Sequence, residues 1–251
     1  MTIALHAVLK YWQLRRLKQT IEHGGGARAN EDKHMTKVAV VLAGCGVYDG
    51  TEIHEAVLTL LALDQRDVVY QCFAPNIPQM HVINHLTGQE SGGEKRNVLV
   101  EAARIARGKV EDVATARAED FDALIVPGGF GAAKNLCDFA VKGSAMTVQS
   151  DFLRFAQAMH KTNKPIGLIC IAPTMAAKIF GEGVECTIGS DAETAAAITA
   201  MGAEHTICTV EKAVVDKRNK LVTTPAYMLA QRIGEAAQGI NACVEQMLAL
   251  I

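Results

Sequence analysis

The sequence predicts an α/β fold, a flavodoxin-like single domain in which a parallel β-sheet is sandwiched between helices. Short apolar runs rich in β-branched residues alternate along the chain with segments of helical periodicity, as expected for strands joined by crossover helices. The runs are apolar almost without interruption, which is typical of strands covered on both faces. Of the 251 residues, 49% are hydrophobic and 21% charged, which suffices for a large core and a solvated surface.

The predicted elements follow one another in a regular order. Apolar runs predict strands at 37–43, 68–74, 123–126, 165–170, 184–188, 213–216 and 220–224. Apolar residues at helical spacing predict helices at 51–63, 97–109, 150–161, 173–180, 191–201 and about 226–248. The polar, glycine-rich segment 76–96 is predicted to be a loop that covers part of the fold, and 217–219 a hairpin turn.

The first 35 residues are predicted to be a basic extension ahead of a domain at 36–251. Six Lys or Arg residues against three acids give residues 1–34 a formal charge of +3. A possible basic amphipathic helix at 4–21 is followed by three glycines. Three interpretations stay open: a targeting peptide, a partner-binding helix, or a non-native upstream extension with Met35 as the working start, which we favour. The protein is expected in the cytoplasm, or in mitochondria if this segment is a transit peptide.

Composition excludes several classes of function. The formal charge of −2 and the pI of about 6.4 give no electrostatic reason to expect binding to nucleic acid or to a membrane surface. No apolar run approaches the roughly 20 residues of a membrane-spanning helix. The seven cysteines are odd in number, widely spaced and without a CxxC pair, which indicates reduced thiols and neither a disulfide framework nor a structural zinc site.

Cys170 lies where the predicted strand 165–170 ends and the predicted helix 173–180 begins. Pro173 suits the first turn of that helix, where its missing N–H costs nothing. The unpaired N–H groups and the positive end of a helix favour the thiolate, which is the nucleophilic form of cysteine. A tight strand-to-helix turn also aims the side chain outward, as in a nucleophile elbow. Position alone leaves open the alternative of a buried packing cysteine.

Two other segments could assist such a nucleophile. The glycine-rich segment 127–131 follows a predicted strand, and its N–H groups could stabilise an oxyanion, although a plain turn is the alternative. Glu52 begins the first predicted helix at the same sheet edge as Cys170. Its carboxyl group could shuttle a proton, or it could simply be a favourable acid in the first turn of a helix. The histidines, His205 among them, are each expected to be surface or packing residues, and no Cys–His pair is evident.

Five segments together resemble the ElbB-type glyoxalases of the DJ/PfpI superfamily, which have the class I glutamine amidotransferase-like fold. The resemblance begins at about residue 36 and continues to the end of the chain. It is carried by segments 41–55 (VLAGCGVYDGTEIHE), 74–83 (APNIPQMHVI), 127–136 (PGGFGAAKNL), 169–173 (ICIAP) and 222–228 (VTTPAYM).

The resemblance implies roles for four residues. Cys170 matches the elbow cysteine, Glu52 the acid that hydrogen-bonds it, and Gly129 and Ile171 the residues whose N–H groups form the oxyanion site. The implied activity converts small 2-oxoaldehydes, glyoxal or methylglyoxal, to hydroxy acids through a hemithioacetal and an enediol. It needs no glutathione, metal or other cofactor. The implied partners are a small aldehyde substrate and a second copy of the chain in a homodimer.

One departure from the superfamily keeps other functions open. A histidine often follows the strand after the elbow helix, but here 187–191 reads TIGSD. Deprotonation of Cys170 then depends on the helix terminus and Glu52, or on His205 as a possible base, and weak activity is expected. The alternative is a non-catalytic redox-sensing or interaction protein with an oxidisable Cys170.

A dinucleotide-dependent oxidoreductase is disfavoured by the glycine spacing after the first strand. Gly44, Gly46 and Gly50 form GxGxxxG rather than GxGxxG. The second strand also ends without the acidic residue that would bind a ribose.

Overall fold

The computed structural model describes residues 35–251, which form one compact unit. Its strands are β1 Lys37–Val41, β2 Val69–Ala74, β3 Ile83–Asn84, β4 Gln89–Glu90, β5 Val110–Asp112, β6 Ala123–Val126, β7 Ile166–Ile169, β8 Glu185–Cys186, β9 Glu204–His205, β10 Val214–Asp216 and β11 Leu221–Thr224. Its α-helices are α1 Ile53–Asp64, α2 Val98–Ile105, α3 Phe130–Lys134, α4 Phe139–Lys142, α5 Ser150–Lys161, α6 Ala176–Phe180, α7 Ala192–Ala200 and α8 Ile233–Leu248. The proposed extension at 1–35 lies, except for Met35, outside the described residues.

The central sheet has the strand order β10-β11-β7-β6-β1-β2-β5. Neighbouring strands are parallel except for the antiparallel pair of β10 and β11 at one edge. Side chains of successive residues point to opposite faces of a strand, so Val38 and Val40 join one core and Ala39 and Val41 the other. Residues of α5 belong to the second core, and residues of α1 and α8 to the first. The predicted α/β class with helices on both faces is confirmed.

Three predicted elements differ from the structure. The predicted strand 184–188 contains only two strand residues, which pair with β9 outside the central sheet. The predicted helix 173–180 is a 3₁₀ turn at Ala172–Met175 followed by α6. The last helix begins at Ile233 rather than near 226, because a 3₁₀ turn at Ala226–Met228 follows Pro225.

The sequence also missed β5. This edge strand is only three residues long and carries two acids, so it lacks the apolar run that predicts a buried strand. Among residues 35–251, no helix combines the length and the apolar character that a membrane crossing requires.

Four parallel strands, β1, β6, β7 and β11, lie side by side at the middle of the sheet. The segments that follow them therefore meet at one edge, which is where parallel sheets bind ligands. These segments include the loop 44–52, Gly128 and Gly129, Cys170, and the turn at Ala226–Met228.

Candidate active site

Cys170 sits at a strained strand-to-helix turn. Its φ angle of +62° is in the left-handed region, which non-glycine residues rarely adopt. Its N–H donates to the Thr224 carbonyl at 2.9 Å, which ties the turn to the end of the neighbouring strand. Its side chain is nearly enclosed, since the residue is 7% exposed. The turn places the thiol at the sheet edge against Gly128, at the position that the sequence predicts for a nucleophile elbow.

The N–H groups of Gly129 and Ile171 both face the Cys170 sulfur and lower the pKa of its thiol. Gly129 can do so because its φ angle is +89°, a conformation that favours glycine. A Cβ at this position would also overlap the Glu52 nitrogen and lie 2.7 Å from the Gly50 carbonyl oxygen. The structure thus brings together the two N–H groups that the resemblance implies, and their role in binding an oxyanion stays a prediction.

The acid that the structure places next to the Cys170 thiol is Glu55, because its Oε2 and the Cys170 sulfur both lie against Gly128. Glu55 is completely buried. Its Oε2 accepts the Gly128 N–H at 2.9 Å, and its Oε1 accepts the Tyr227 N–H at 3.1 Å. The Glu55 carboxyl group is therefore held between the ends of two strands while it faces the sulfur.

Glu52 caps the N-terminus of α1. Its Oε2 accepts the Glu55 N–H at 2.7 Å, which satisfies an otherwise unpaired donor of the first turn. Its own N–H donates to the Gly128 carbonyl at 3.0 Å. The hydrogen bond to the nucleophile that the resemblance implies for Glu52 is not among the contacts that the structure gives this carboxylate, whose Oε2 is bonded to the helix end.

The sequence does contain a signal for Glu55. On α1, Glu55 lies at helical spacing with the buried residues Thr59 and Leu63, so an acid occupies the face of the helix that packs on the core. A buried acid without a basic partner on its helix is unusual and indicates a functional role.

The two titratable groups of the site depart strongly from their usual behaviour. Burial raises the pKa of Glu55 to about 7, with a further increase from the nearby Glu52 charge. Burial and the adjacent Glu55 raise the pKa of Cys170 well above its usual value, while the Gly129 and Ile171 N–H groups oppose this change. The Gly129 and Ile171 N–H groups favour the thiolate, as the sequence predicts for backbone donors at the turn, but burial and Glu55 outweigh them.

His205 lies in β9, and its Nε2 accepts the Ile188 N–H at 3.3 Å. Burial lowers its pKa. In the part of the chain that the structure describes, the ring is hydrogen-bonded to this backbone group and not to Cys170. Its interactions do not support the prediction of a possible base.

Sequence reasoning also missed the contacts of Tyr227. Besides its N–H bond to Glu55, its hydroxyl group is hydrogen-bonded to His54 Nδ1 at 2.8 Å. Ala226, which precedes it, is buried and has a φ angle of +43°, so a second strained residue borders the site. The segment 222–228 was noticed only through the resemblance.

The remaining thiols have no comparable surroundings. Burial raises the pKa of Cys72 to about 11 and those of Cys137, Cys186 and Cys243 to about 12. Cys45 is half-buried near the Glu101–Arg104 ion pair, and burial raises its pKa as well. Among residues 35–251, no group of three or more His, Cys, Asp or Glu side chains is arranged to hold a metal ion.

A strained elbow cysteine, a buried glutamic acid and two converging N–H groups at the edge of a parallel sheet define a class I glutamine amidotransferase-like protein. A structure from Ehrlichia chaffeensis, an isoprenoid biosynthesis protein with an amidotransferase-like domain, superposes with a TM-score of 0.79. It is 37% identical, and the match covers 86% of this chain and all of that one. Candida albicans glyoxalase III has a TM-score of 0.55 at 12% identity over 87% of this chain and 98% of its own, which shows the shared fold alone.

Curated relatives give the narrower family. The chain is 51% identical over 223 residues to the Homo sapiens glutamine amidotransferase-like class 1 domain-containing protein 3, mitochondrial, and this match covers 85% of the chain and 83% of the relative. It is 46% identical over 241 residues to the Rattus norvegicus ES1 protein homolog, mitochondrial, and this match covers 92% of the chain and 90% of the relative. The chain therefore belongs to the ES1 family of glutamine amidotransferase-like class 1 domain proteins. No family model matches the chain. The narrower resemblance to ElbB-type glyoxalases stays a prediction.

Proposed function

We propose that this protein is a cofactor-independent glyoxalase that converts glyoxal or methylglyoxal to the corresponding hydroxy acid. The observation that carries the proposal is the Cys170–Glu55 pair, a thiol and a carboxyl group that lie together against Gly128, next to the N–H groups of Gly129 and Ile171. Nucleophile, proton carrier and oxyanion donors are the parts that addition to an aldehyde requires. The solved glyoxalase III with the same fold supports the assignment by analogy.

The first step joins sulfur to carbon. With the proton on Glu55, the Cys170 thiolate adds to the aldehyde carbon, and the carbonyl electrons move to oxygen. The N–H groups of Gly129 and Ile171 then donate to this oxyanion and no longer to the sulfur. Glu55 protonates the oxyanion, which gives a hemithioacetal. A carboxyl group with a pKa of about 7 can both give and take this proton near neutral pH.

The later steps move hydrogen within the substrate. Glu55, now a carboxylate, removes the proton from the former aldehyde carbon, and an enediol forms. Reprotonation at the neighbouring carbon gives a thioester of the hydroxy acid, which water cleaves to release the product and the thiol. One carbon is oxidised and its neighbour is reduced, so the reaction consumes water and no external oxidant or reductant.

Turnover of each substrate by purified protein, without glutathione or added metal, tests the proposal. Glycolate or lactate is followed by NMR, and the wild type is compared with Cys170→Ser and Glu55→Gln. Cys45→Ser is the matched control, because Cys45 is the half-buried thiol outside the site. We expect both site variants to lose at least about 100-fold in rate and the control to keep it. Equal turnover by Cys170→Ser would refute the proposal.

The alternative of a redox-sensing thiol uses the same Cys170 sulfur. Burial and a raised pKa limit its oxidation by peroxide as they limit its attack on an aldehyde, so peroxide treatment and mass spectrometry of Cys170 test this alternative.

We also propose a mitochondrial location, because the human, rat and zebrafish relatives are all named as mitochondrial. The expectation of a cytoplasmic protein has no support among them. Imaging of the full chain with a C-terminal tag, against a variant that begins at Met35, tests this location. The homodimer remains a proposal, which light scattering on the purified protein tests.

A further inference from the structure

The turn at Ala226–Met228 is bound to the start of α1 at two neighbouring residues. The Tyr227 N–H donates to Glu55 Oε1 at 3.1 Å, and the Tyr227 hydroxyl group is hydrogen-bonded to His54 Nδ1 at 2.8 Å. The His54 and Tyr227 rings also lie close together, with their centroids 5.8 Å apart. The backbone and the side chain of one residue therefore join this turn to two consecutive residues of α1.

The backbone of the turn is strained, so its place on α1 depends on such contacts. Ala226 has a φ angle of +43°, which is unfavourable for a residue with a side chain. Its carbonyl accepts the N–H groups of Leu229 and Ala230 at 3.0 and 2.8 Å. These bonds are internal to the segment 226–230, so they fix its shape and not its position on the helix. The hydrogen bond between Tyr227 and His54 adds a fixed point on α1 itself.

The Tyr227 N–H also settles which oxygen of Glu55 lies beside the nucleophile. Oε1 accepts this N–H, while Oε2 accepts the Gly128 N–H at 2.9 Å. A Cβ at Gly128 would lie 2.8 Å from Oε2 and 2.9 Å from the Cys170 sulfur, so these two atoms border the same small space. Burial raises the pKa of Glu55, and the Tyr227 N–H is the largest of the contributions that oppose this increase.

We infer that the His54–Tyr227 hydrogen bond positions the proton carrier, because it holds the Tyr227 N–H on Glu55 Oε1 and so keeps Oε2 beside Cys170. His54 and Tyr227 are positioning residues and not catalytic ones, since they act through Glu55. The inference rests on the proposed function only where it calls Glu55 the proton carrier. The contacts themselves, and their effect on the Glu55 carboxyl group, do not depend on which reaction the site performs.

Three substitutions test the hydrogen bond from both of its ends. Tyr227→Phe removes the hydroxyl group and keeps the backbone N–H. His54→Ala breaks the same bond at an exposed position, where substitutions seldom unfold a protein. His54→Asn keeps a side-chain amide that can bond to the tyrosine hydroxyl group and should restore the bond. Tyr48→Phe is the matched control, because the Tyr48 ring also lies beside a histidine, with its centroid 5.0 Å from that of His85.

The measured quantity is the pH at which Glu55 has lost half of its proton. Carbon-13 NMR of protein labelled at the glutamate carboxyl groups gives this midpoint, and the resonance that is missing from Glu55→Gln identifies Glu55. Two or three backbone N–H donors can lower the pKa of a carboxyl group by about two units, which is about one unit for each donor. We therefore expect the midpoint to rise from about 7 by at least about 0.5 in Tyr227→Phe and in His54→Ala.

The control and the rescue separate the hydrogen bond from a general loss of packing. In Tyr48→Phe and His54→Asn the midpoint should stay within about 0.2 of the wild-type value. In the double variant of Tyr227→Phe with His54→Ala it should rise no further than in either single variant, because both remove one bond. A rise of less than about 0.2 in both single variants, an equal rise in Tyr48→Phe, or additive rises in the double variant overturn the inference.

The NMR titration does not require aldehyde turnover, so the two proposals fail separately. A wild type that turns over no 2-oxoaldehyde refutes the proposed function, while the titration still tests the positioning of Glu55. With an active enzyme, the acid-side midpoint of the pH profile of kcat/KM should rise in Tyr227→Phe by the amount seen in the titration.

Discussion

Replacing Glu55 with glutamine should change how the stability of the protein depends on pH. In the folded protein the pKa of Glu55 is raised from its ordinary value of 4.5 to about 7, chiefly by burial. At 1.36 kcal/mol for each pKa unit, this difference corresponds to about 3 kcal/mol of unfolding free energy. Between pH 4.5 and about 7, the unfolded chain releases this proton while the folded protein keeps it. The Glu55 contribution therefore stabilises the fold fully below pH 4.5 and declines as pH rises to about 7.

Glutamine does not titrate, so the Glu55→Gln variant should lack this decline. One amide oxygen can accept only one of the two N–H bonds made by Gly128 and Tyr227, which costs about 1–3 kcal/mol at every pH. The diagnostic quantity is thus the pH slope and not the absolute stability. Urea unfolding from pH 4 to about 8 should show the wild type losing about 3 kcal/mol more than the variant across this window. Equal slopes in the two proteins would refute the reasoning.

The same variant should change the reactivity of Cys170. In the wild type, iodoacetamide alkylation should rise with pH through about 7, because Glu55 then loses its own proton and can accept the proton of the thiol. Glu55→Gln should lose this step, because only the thiol itself can then release a proton. A step near pH 7 that persists in the variant would show that another group controls the thiol.

Three further predictions concern the surroundings of the site. Gly129→Ala should lower turnover at least about tenfold and destabilise the fold by more than about 1 kcal/mol, because the φ of +89° at this position strains any L side chain. Kinetics and urea unfolding measure the two effects, and wild-type kinetics in the variant would contradict the prediction. His205→Gln should keep aldehyde turnover within about twofold, and a loss of about 100-fold would restore this residue as a base. Asn135→Ala should lower the free energy of unfolding by about 2–4 kcal/mol, because the buried Asn135 amide donates to the Ala43 and Asp49 carbonyls at 2.9 Å each. The urea midpoint should fall accordingly, and an unchanged midpoint would contradict the prediction.

The central strands could be predicted because burial on both faces leaves an unmistakable composition. β1, β6 and β7 are fully or almost fully buried apolar runs, and each was predicted. The strand β5 and the short pair β8 and β9 depend on pairing with distant segments, so their own composition carries little signal.

The site was predicted in part for the same reason. Cys170 and Gly129 follow strand ends, and the edge of a parallel sheet brings such residues together whatever the loops do. Which acid faces the thiol depends on the helix start. The chain turns at Glu52 to cap α1, so Glu52 points back to the helix and Glu55 points inward. Helical spacing marks Glu55 as a buried acid, but the pattern does not fix the residue at which α1 begins, so it did not separate the two acids.

The sequence by itself determined the fold class, the candidate nucleophile and the edge of the sheet on which it lies, because these follow from apolar patterning and strand order. Only the tertiary structure placed Glu55 next to Cys170 and raised the pKa of the Cys170 thiol. Both depend on burial and on hydrogen bonds from Gly128 and Tyr227, which are 73 and 172 residues away from Glu55. A pKa is set by the solvation and the charges around a group, and those are created when distant segments pack together.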